Sequence, residues 1–425
     1  MARAPFCLNH PLLPDSSTVF TNCRLCLHGS LTPHNTALVV SNATGKIQEV
    51  MHNTLSLPLG DSDSERGVEI IDLDNAILAP GFLELQTNGM RGFHFTHLQD
   101  EASYAAKIEK VARYLPSQGV TGFWTTIPTV ESGEFKKILP SLYPREITNG
   151  ATLLGAHAEG PYLYPSKKGA HNSTLFYKPS VPPTEVYGDV AKNSDTLKLV
   201  TVAPELEDST ALISDLVGKG IRVSLGHSSA SYSDGLAAVK AGATCLTHTL
   251  NAMAPLHHRD PGLAGLATAA PATVSDSPYF SIIPDGNHLH PSVATMLFRA
   301  NSSKCIVITD SIELAGLEDG TYPGHSQIPF NQTKKGTKVV IEGTETLIGG
   351  CASLRFCVRN LMAWSGCGVA EAVRCMTENV VNLMGDEDRG KLEAGRVADF
   401  VVLTDDGHVL QTWIGGKKVW PEEQR

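Results

Sequence analysis

The residues of this chain that could do chemistry are polar side chains that end, or closely follow, short apolar runs. In chain order they are Gln86, Glu159, His227, His248, His288 and Asp310. Carboxylate and imidazole groups bind borderline-hard divalent metals such as zinc, and three protein ligands leave a coordination position for water. Such a set of residues predicts a hydrolytic metal site.

Glu159, His227 and His248 follow three different apolar runs and are the candidate metal ligands. A single histidine at such a place is more often a hydrogen-bonded structural residue. Three ligand-type residues at the ends of apolar runs, which would lie together if the runs are parallel strands, weaken that explanation. Asp310 ends the run CIVITD and is the candidate general base, because a carboxylate beside a metal-bound water can take its proton.

His288, in PDGNH, is the candidate group for polarising a carbonyl or stabilising an oxyanion. His290 is the alternative, although His288 lies nearer to the preceding apolar run. His171 and Arg259 are candidate substrate contacts, since a guanidinium suits a phosphate or a carboxylate. Either of these two residues alone would more often be solvated surface.

The elements that must position these residues alternate between apolar runs and helix-like stretches. This alternation indicates parallel strands joined by helices, and a count of eight strands is that of a closed (β/α)8 barrel, whose catalytic groups follow the strand ends. An open doubly wound sheet is the alternative, although the GxGxxG loop that usually accompanies it does not occur. The predicted strands cover residues 77–86, 120–127, 151–158, 197–203, 221–226, 243–248, 279–284 and 305–310.

Both ends of the chain carry short segments with a period-two pattern and Gly or Asn punctuation, which predict antiparallel strands. We therefore predict an α/β protein with two units. Residues 79–389 form a TIM-type barrel domain, and residues 1–78 and 390–425 together form a small β-sandwich domain. The segment 317–349 reads as turns and a hairpin, and its role stays open.

The bulk composition bounds the function classes. A net charge of −10 and a pI near 5.9 argue against a nucleic-acid partner. No apolar run approaches the roughly 20 residues that cross a bilayer, and the N-terminal residues do not have the pattern of a signal peptide. The nine scattered cysteines fit a reducing compartment, so no membrane partner and a cytoplasmic location are predicted.

Several motifs together resemble the N-acetylglucosamine-6-phosphate deacetylases, a branch of the metal-dependent amidohydrolase superfamily. The resemblance extends over residues 79–400 and includes the late segment RGKLEAGRVADFVVL. HAEGPYL combined with THTLNAM is specific to this branch, whereas PGF and ADFVVL are common across the superfamily. The motifs, in order, are PGFLELQTNG, HAEGPYL followed by KKGAH, GHSSA, THTLNAM, PDGNH and VITDS.

The resemblance implies a distorted barrel with a small β-sandwich, assembled as a homodimer. It also implies hydrolysis of the acetamide of N-acetyl-D-glucosamine 6-phosphate to D-glucosamine 6-phosphate and acetate. Carried over residue by residue, it makes Glu159, His227 and His248 the metal ligands. It makes Asp310 the base that later protonates the leaving amine, and His288 the group that contacts the acetyl carbonyl.

The resemblance also implies which residues contact the sugar phosphate. His171, Asn251, Ala252 (through its backbone) and Arg259 match those positions of the family. In the dimers of this family, the arginine reaches the phosphate in the neighbouring subunit's site.

One departure from the wider superfamily bears on the number of metals. Many amidohydrolases carry HxH after PGF and use it to hold a second metal, whereas this chain carries Gln86 and Asn88 there, with Thr87 between them. Neutral amides are poor zinc ligands compared with imidazole. We therefore predict a single divalent metal ion, Zn2+, with Gln86 near it.

Two other functions stay open at this point. An amidohydrolase acting on a cyclic amide or an acylated amino acid would usually carry the first-strand HxH and often a bridging lysine. A non-catalytic scaffold that kept the barrel would typically have lost its metal ligands, yet Glu159, His227, His248 and Asp310 are all present.

Overall fold

A computed structural model describes residues 16–52, 67–269, 273 and 276–421. The N-terminal residues 1–15, on which most of the signal-peptide prediction rests, lie outside the described residues. The same holds for parts of the predicted small domain. The limits of 78/79 and 389/390 for the two domains stay a prediction.

Eight parallel strands form one sheet in the order of the chain, which confirms the predicted TIM-type barrel. The end of the first strand meets the segment after the last strand through a single bridge, Thr87 to Ser311, supported by hydrogen bonds from Asp310 N to Gln86 O and from Asn88 N to Ser311 O. The barrel is therefore closed at this seam by little backbone pairing. The strands are Phe82–Thr87, Val120–Pro128, Thr152–Glu159, Leu197–Val202, Arg222–Leu225, Cys245–Leu246, Tyr279–Ile282 and Cys305–Val307.

Amphipathic helices cover the outside of the barrel. In the helix Glu101–Tyr114, the side chain of Asp100 accepts a hydrogen bond from Ser103 N at the start, and Ile108 and Val111 face the core. The α-helices are Glu101–Tyr114, Ser132–Ile138, Pro183–Tyr187, Ser209–Gly218, Tyr232–Lys240, Pro291–Ala300, Leu354–Ser365, Val369–Arg374 and Glu378–Met384. Among the described residues, no helix is both long and apolar enough to cross a membrane.

Segments from both ends of the chain form a second, nine-stranded sheet, as predicted. It folds onto itself so that Phe20 from one half packs edge-on against Phe400 and Trp413 from the other, with ring centroids 4.8 Å apart in both pairs. This is the face-to-face packing of a small sandwich. Its strands are Ser17–Leu27, Ser30–Leu31, Thr36–Ser41, Ile47–Met51, Glu69–Asp72, Ile77–Pro80, Phe400–Leu403, Val409–Ile414 and Lys417–Trp420.

The predicted strand 77–86 is two strands that belong to different sheets. Ile77–Pro80 pairs with Phe400–Leu403 in the sandwich, and Phe82–Thr87 begins the barrel. Gly81 lies between them, and its N–H donates to Asp399 O. The continuous apolar pattern hid this division, because both strands are buried on both faces.

The segment between the last barrel strand and the following helix forms a four-stranded antiparallel sheet. It has an apolar core of its own that includes Ile328, Val339 and Ile348. Its strands are Gly320–Tyr322, Gln332–Lys335, Lys338–Ile341 and Leu347–Gly350. We call this sheet the insertion sheet.

Replacing Gly81 with alanine tests the close approach of this link to the second barrel strand, Val120–Pro128. An added Cβ would lie 2.2 Å from the Thr121 hydroxyl oxygen, and Thr121 is fully buried. Overpacking of this kind typically costs about 1–3 kcal/mol. We expect Gly81→Ala to lower the urea midpoint followed by circular dichroism. Gly133→Ala is the control, because nothing lies within 4 Å of its Cβ position, and an unchanged midpoint for both variants would contradict the prediction.

Candidate metal centre and its cavity

Three predicted ligands converge at the carboxyl end of the barrel. Glu159 Oε1 lies 3.3 Å from His227 Nε2 and 3.0 Å from His248 Nε2, and the two imidazole nitrogens are 3.2 Å apart. All three side chains are buried, and no other group of three ligand-type side chains among the described residues is as compact. Three donor atoms at this spacing can share one ion.

The backbone at these strand ends is strained. His227, His248 and Asp310 have φ values of 48°, 30° and 46°, a left-handed region that non-glycine residues seldom occupy. Such strain persists only where the surrounding structure enforces it, and it concentrates at functional sites. The turns aim the three side chains into the barrel mouth.

Hydrogen bonds to the backbone give His227 and His171 different tautomers. His227 Nδ1–H donates to Lys167 O over 2.9 Å, which leaves the Nε2 lone pair free for a metal. His171 Nδ1 instead accepts from Thr129 N over 3.3 Å, so its Nε2 carries the proton. The His171 Nε2 atom lies 3.6 Å from Glu159 Oε2. His227 therefore suits a ligand, whereas His171 suits a donor to substrate or to Glu159.

The electrostatics of Glu159 fit a metal ligand. Burial would raise the pKa of this carboxyl, but the adjacent imidazoles of His171, His227 and His248 outweigh burial and hold the pKa well below its usual range. Glu159 is therefore an anion at neutral pH, and the imidazole donors are of the type that zinc prefers. His248 Nδ1 is buried and has no hydrogen-bonding partner among the described residues.

Asp310 lies next to this cluster and is held by two amides. Asn88 Nδ2 donates to Asp310 Oδ1 over 2.8 Å, and Gln86 Nε2 contacts the same oxygen over 3.3 Å while donating to Glu159 Oε1 over 3.0 Å. Burial and the charge of Glu159 raise the pKa of Asp310 against the opposing effect of His248. A raised pKa makes this carboxylate a better proton acceptor.

His288 is oriented by Asp285. Its Nδ1 lies 2.8 Å from Asp285 Oδ2, and its backbone N–H donates to Asp285 Oδ1 over 2.9 Å. Its alternative, His290, is exposed, and its ring accepts from Ser292 N at the start of a helix. Of the two histidines, only His288 lines the cavity that contains the candidate metal ligands.

These side chains surround a cavity of about 280 Å3. Arg259 does not line it. The arginine is exposed, and its Nη1 lies 3.1 Å from His258 Nε2. Gln86 does not line the cavity either, and its amide nitrogen contacts Glu159 and Asp310. The predicted residues that do line the cavity are Glu159, His171, His227, His248, Asn251, Ala252, His288 and Asp310.

Sequence reasoning missed one wall of the cavity. His94, on a short strand after the first barrel strand, lines it, together with side chains of the insertion sheet and its loops. Their positions follow no strand-end pattern, so the sequence carried no signal for them. The residues that the insertion sheet and its loops contribute are Gln327, Ile328, Leu347, Ile348 and Gly349.

Comparison with known proteins finds relatives over most of the chain. Residues 77–419 match the amidohydrolase family. The N-acetylglucosamine-6-phosphate deacetylase of Caenorhabditis elegans is 38% identical over 354 residues, which cover 82% of this chain and 84% of that protein. The crystal structure of the N-acetylglucosamine-6-phosphate deacetylase from Pasteurella multocida superposes with a TM-score of 0.80 at 26% identity, covering 95% and 99% of the two chains.

A second solved structure contains a ligand. The D267A mutant of N-acetyl-D-glucosamine-6-phosphate deacetylase from Mycobacterium smegmatis, in complex with N-acetyl-D-glucosamine-6-phosphate, superposes with a TM-score of 0.78 at 25% identity. The match covers 95% of this chain and 99% of that chain.

Variants of His227 and His171, two buried histidines whose ring centroids lie 4.6 Å apart, test which of them binds the metal. We expect His227→Asn to purify with well below one equivalent of metal, because it loses one of three ligands. His171→Asn should keep its metal, because its side chain donates rather than ligates. Elemental analysis by plasma mass spectrometry of gel-filtered protein measures both variants. Loss of metal from His171→Asn, or full retention by His227→Asn, would contradict this assignment.

Proposed function

The chain belongs to the amidohydrolase family, and we propose that it removes the acetyl group of N-acetyl-D-glucosamine 6-phosphate. The products are D-glucosamine 6-phosphate and acetate. The observation that carries the proposal is the convergence of Glu159, His227 and His248 beside Asp310, in a cavity also lined by His288. The named activity of the C. elegans relative and the ligand of the mycobacterial structure supply the substrate.

We propose one divalent metal ion, Zn2+, held by Glu159, His227 and His248. When bound, such an ion would polarise an amide carbonyl and lower the pKa of a water toward neutrality. Gln86 and Asn88 support a single ion, because both amides turn their NH2 groups toward the carboxylates of Glu159 and Asp310. They brace the ligand and the base instead of binding a second metal.

The proton transfers fall to Asp310. Its carboxylate takes a proton from the attacking water and later gives it to the nitrogen of the departing amine. Its raised pKa favours both steps, because the group must hold a proton between them. His288 donates Nδ1–H to Asp285 and presents Nε2 to the acetyl carbonyl. When Nε2 also carries a proton, its N–H can donate to the oxyanion that forms there.

The other residues bind the sugar phosphate. His171, Asn251 and Ala252 line the cavity beside the metal ligands. Arg259 lies on an exposed loop outside its own cavity, which supports a role in the site of a second subunit. We therefore propose a homodimer in which each Arg259 contacts the phosphate bound to its partner. We also propose a cytoplasmic location, because the nine scattered cysteines fit a reducing compartment.

The two rival functions fit less well. A scaffold has no need of a buried carboxylate, two converging imidazoles and an adjacent base in strained backbone. An enzyme for cyclic amides would usually present histidines where this chain has Gln86 and Asn88.

Asp310→Asn tests the proton transfers. An amide cannot accept the proton of the attacking water, so we expect kcat for acetate release to fall about 10²–10⁴-fold, with KM changed little. Enzymatic detection of acetate measures the rate. Asp215→Asn, at an exposed helix position, is the control and should match the wild type. Near-wild-type kcat for Asp310→Asn would remove this role.

Arg259→Ala tests the phosphate contact in the neighbouring site. We expect a raised KM for N-acetylglucosamine 6-phosphate and unchanged rates on N-acetylglucosamine, which the wild type should use poorly. Mixed dimers of Arg259→Ala and Asp310→Asn chains should recover activity, because one site then has both groups. Arg113→Ala, an exposed helix arginine, is the control. Equal wild-type rates on both sugars would contradict the phosphate role, and no recovery in mixed dimers would place Arg259 in its own subunit's site.

A further inference from the structure

We propose that Glu84 is a positioning residue for the base Asp310, acting through Thr309 from behind the wall of the active site. The inference rests on the proposed function, because it assigns Asp310 its catalytic role. Glu84 itself lines no part of the cavity that holds the metal ligands.

Three hydrogen bonds carry the proposal. Glu84 Oε2 accepts from the Thr309 hydroxyl over 2.7 Å, and Glu84 Oε1 accepts from Thr309 N over 3.3 Å and from Gln86 N over 3.2 Å. One carboxyl group thus holds the backbone N–H of Thr309, next to Asp310, and that of Gln86. Asp310 and Gln86 contact each other in the site.

The first and eighth strands separate two cavities at this point. Asp310 and Ile312 face the active-site cavity, whereas Thr309 and Ser311 face a second cavity of about 250 Å3, which Glu84 also lines. A change on the Glu84 side is therefore transmitted to Asp310 through the intervening backbone, without any contact between Glu84 and substrate.

This seam needs support from a side chain. The first strand and the segment after the eighth strand share a single bridge, and Asp310 lies in the left-handed region at φ 46°. The Thr309 hydroxyl, which Glu84 anchors, also accepts from Ser311 N over 3.2 Å. Glu84 and the Thr309 hydroxyl therefore hold the backbone on both sides of Asp310, at Thr309 and Ser311, where backbone pairing is sparse.

Burying Glu84 costs free energy that a purely structural residue at this position would not require. It is 2% exposed, and among the described side chains no lysine or arginine forms an ion pair with it. In the second cavity, Lys334 binds Asp319, and Arg355 binds the carbonyl of Ser117. Burial raises the pKa of Glu84 to about 8, although the hydrogen bonds from Thr309 and Gln86 lower it. An aliphatic strand residue would be cheaper to bury, so its presence points to a functional constraint.

Kinetics of Glu84→Ala test the inference. We expect kcat to fall about 10–100-fold, since misplacement by about 1 Å can cost about 100-fold. KM should stay within about twofold, and metal content should not change. The acid limb of the pH–kcat profile should also move, because the surroundings of Asp310 change. Glu84→Gln retains two acceptor contacts and should recover most of kcat.

A double-mutant cycle separates positioning from general stability. Thr309→Val should lower kcat, and the double variant should be no slower than Glu84→Ala, because both changes break one connection. Glu378→Gln alters a buried carboxylate that accepts from His28 N, away from the site, and should keep wild-type kcat. Additive losses, or a lowered unfolding midpoint with unchanged kcat, would overturn the inference.

Hydrogen exchange keeps the test independent of the proposed function. Glu84→Ala should speed amide exchange in a peptide covering residues 305–312, and Glu378→Gln should not. A wild type that releases no acetate would refute the proposed function, while unchanged exchange in that peptide would separately refute the positioning by Glu84. If Glu84→Ala does not fold, Thr309→Val carries the kinetic and exchange measurements.

Discussion

The buried anion of Glu159 is the group on which the rest of the site depends. Taking a carboxylate out of water costs several kcal/mol unless neighbouring groups compensate. One of its oxygens lies within 3.3 Å of nitrogens from Gln86, His227 and His248. These partners come from other strand ends, far apart in the chain, and the curvature of the barrel brings them around one charge.

Collecting these groups requires backbone that the chain would otherwise avoid. His227, His248 and Asp310 all adopt positive φ values just past their strands, and each such residue costs of order 1–3 kcal/mol. The buried strands and helices of a large barrel supply the stability that offsets this strain. The result is a set of side chains aimed inward before substrate arrives, so little reorganisation is needed during the reaction.

The insertion sheet contributes a wall of the site from outside the barrel strands. Ile328 and Ile348 belong both to its own apolar core and to the wall of the active-site cavity. Rigid packing of the sheet thus determines the shape of the cavity opposite the metal ligands. The seam between the first and eighth strands, where Glu84 holds Thr309, connects the catalytic wall to a second cavity behind it.

The amino-acid pattern identified the candidate residues of the site and the class of fold. Polar residues at the ends of apolar runs, and alternating strand and helix patterns, are local properties, so Glu159, His227, His248 and Asp310 follow from the amino-acid pattern alone. Tertiary structure alone decided how the strand 77–86 divides at Gly81, that Arg259 stands outside its own cavity, and that the insertion sheet builds one wall. The partners that set the histidine tautomers, such as Lys167 O and Thr129 N, also came only from the tertiary structure. Those contacts join residues distant in the chain, and no local pattern encodes them.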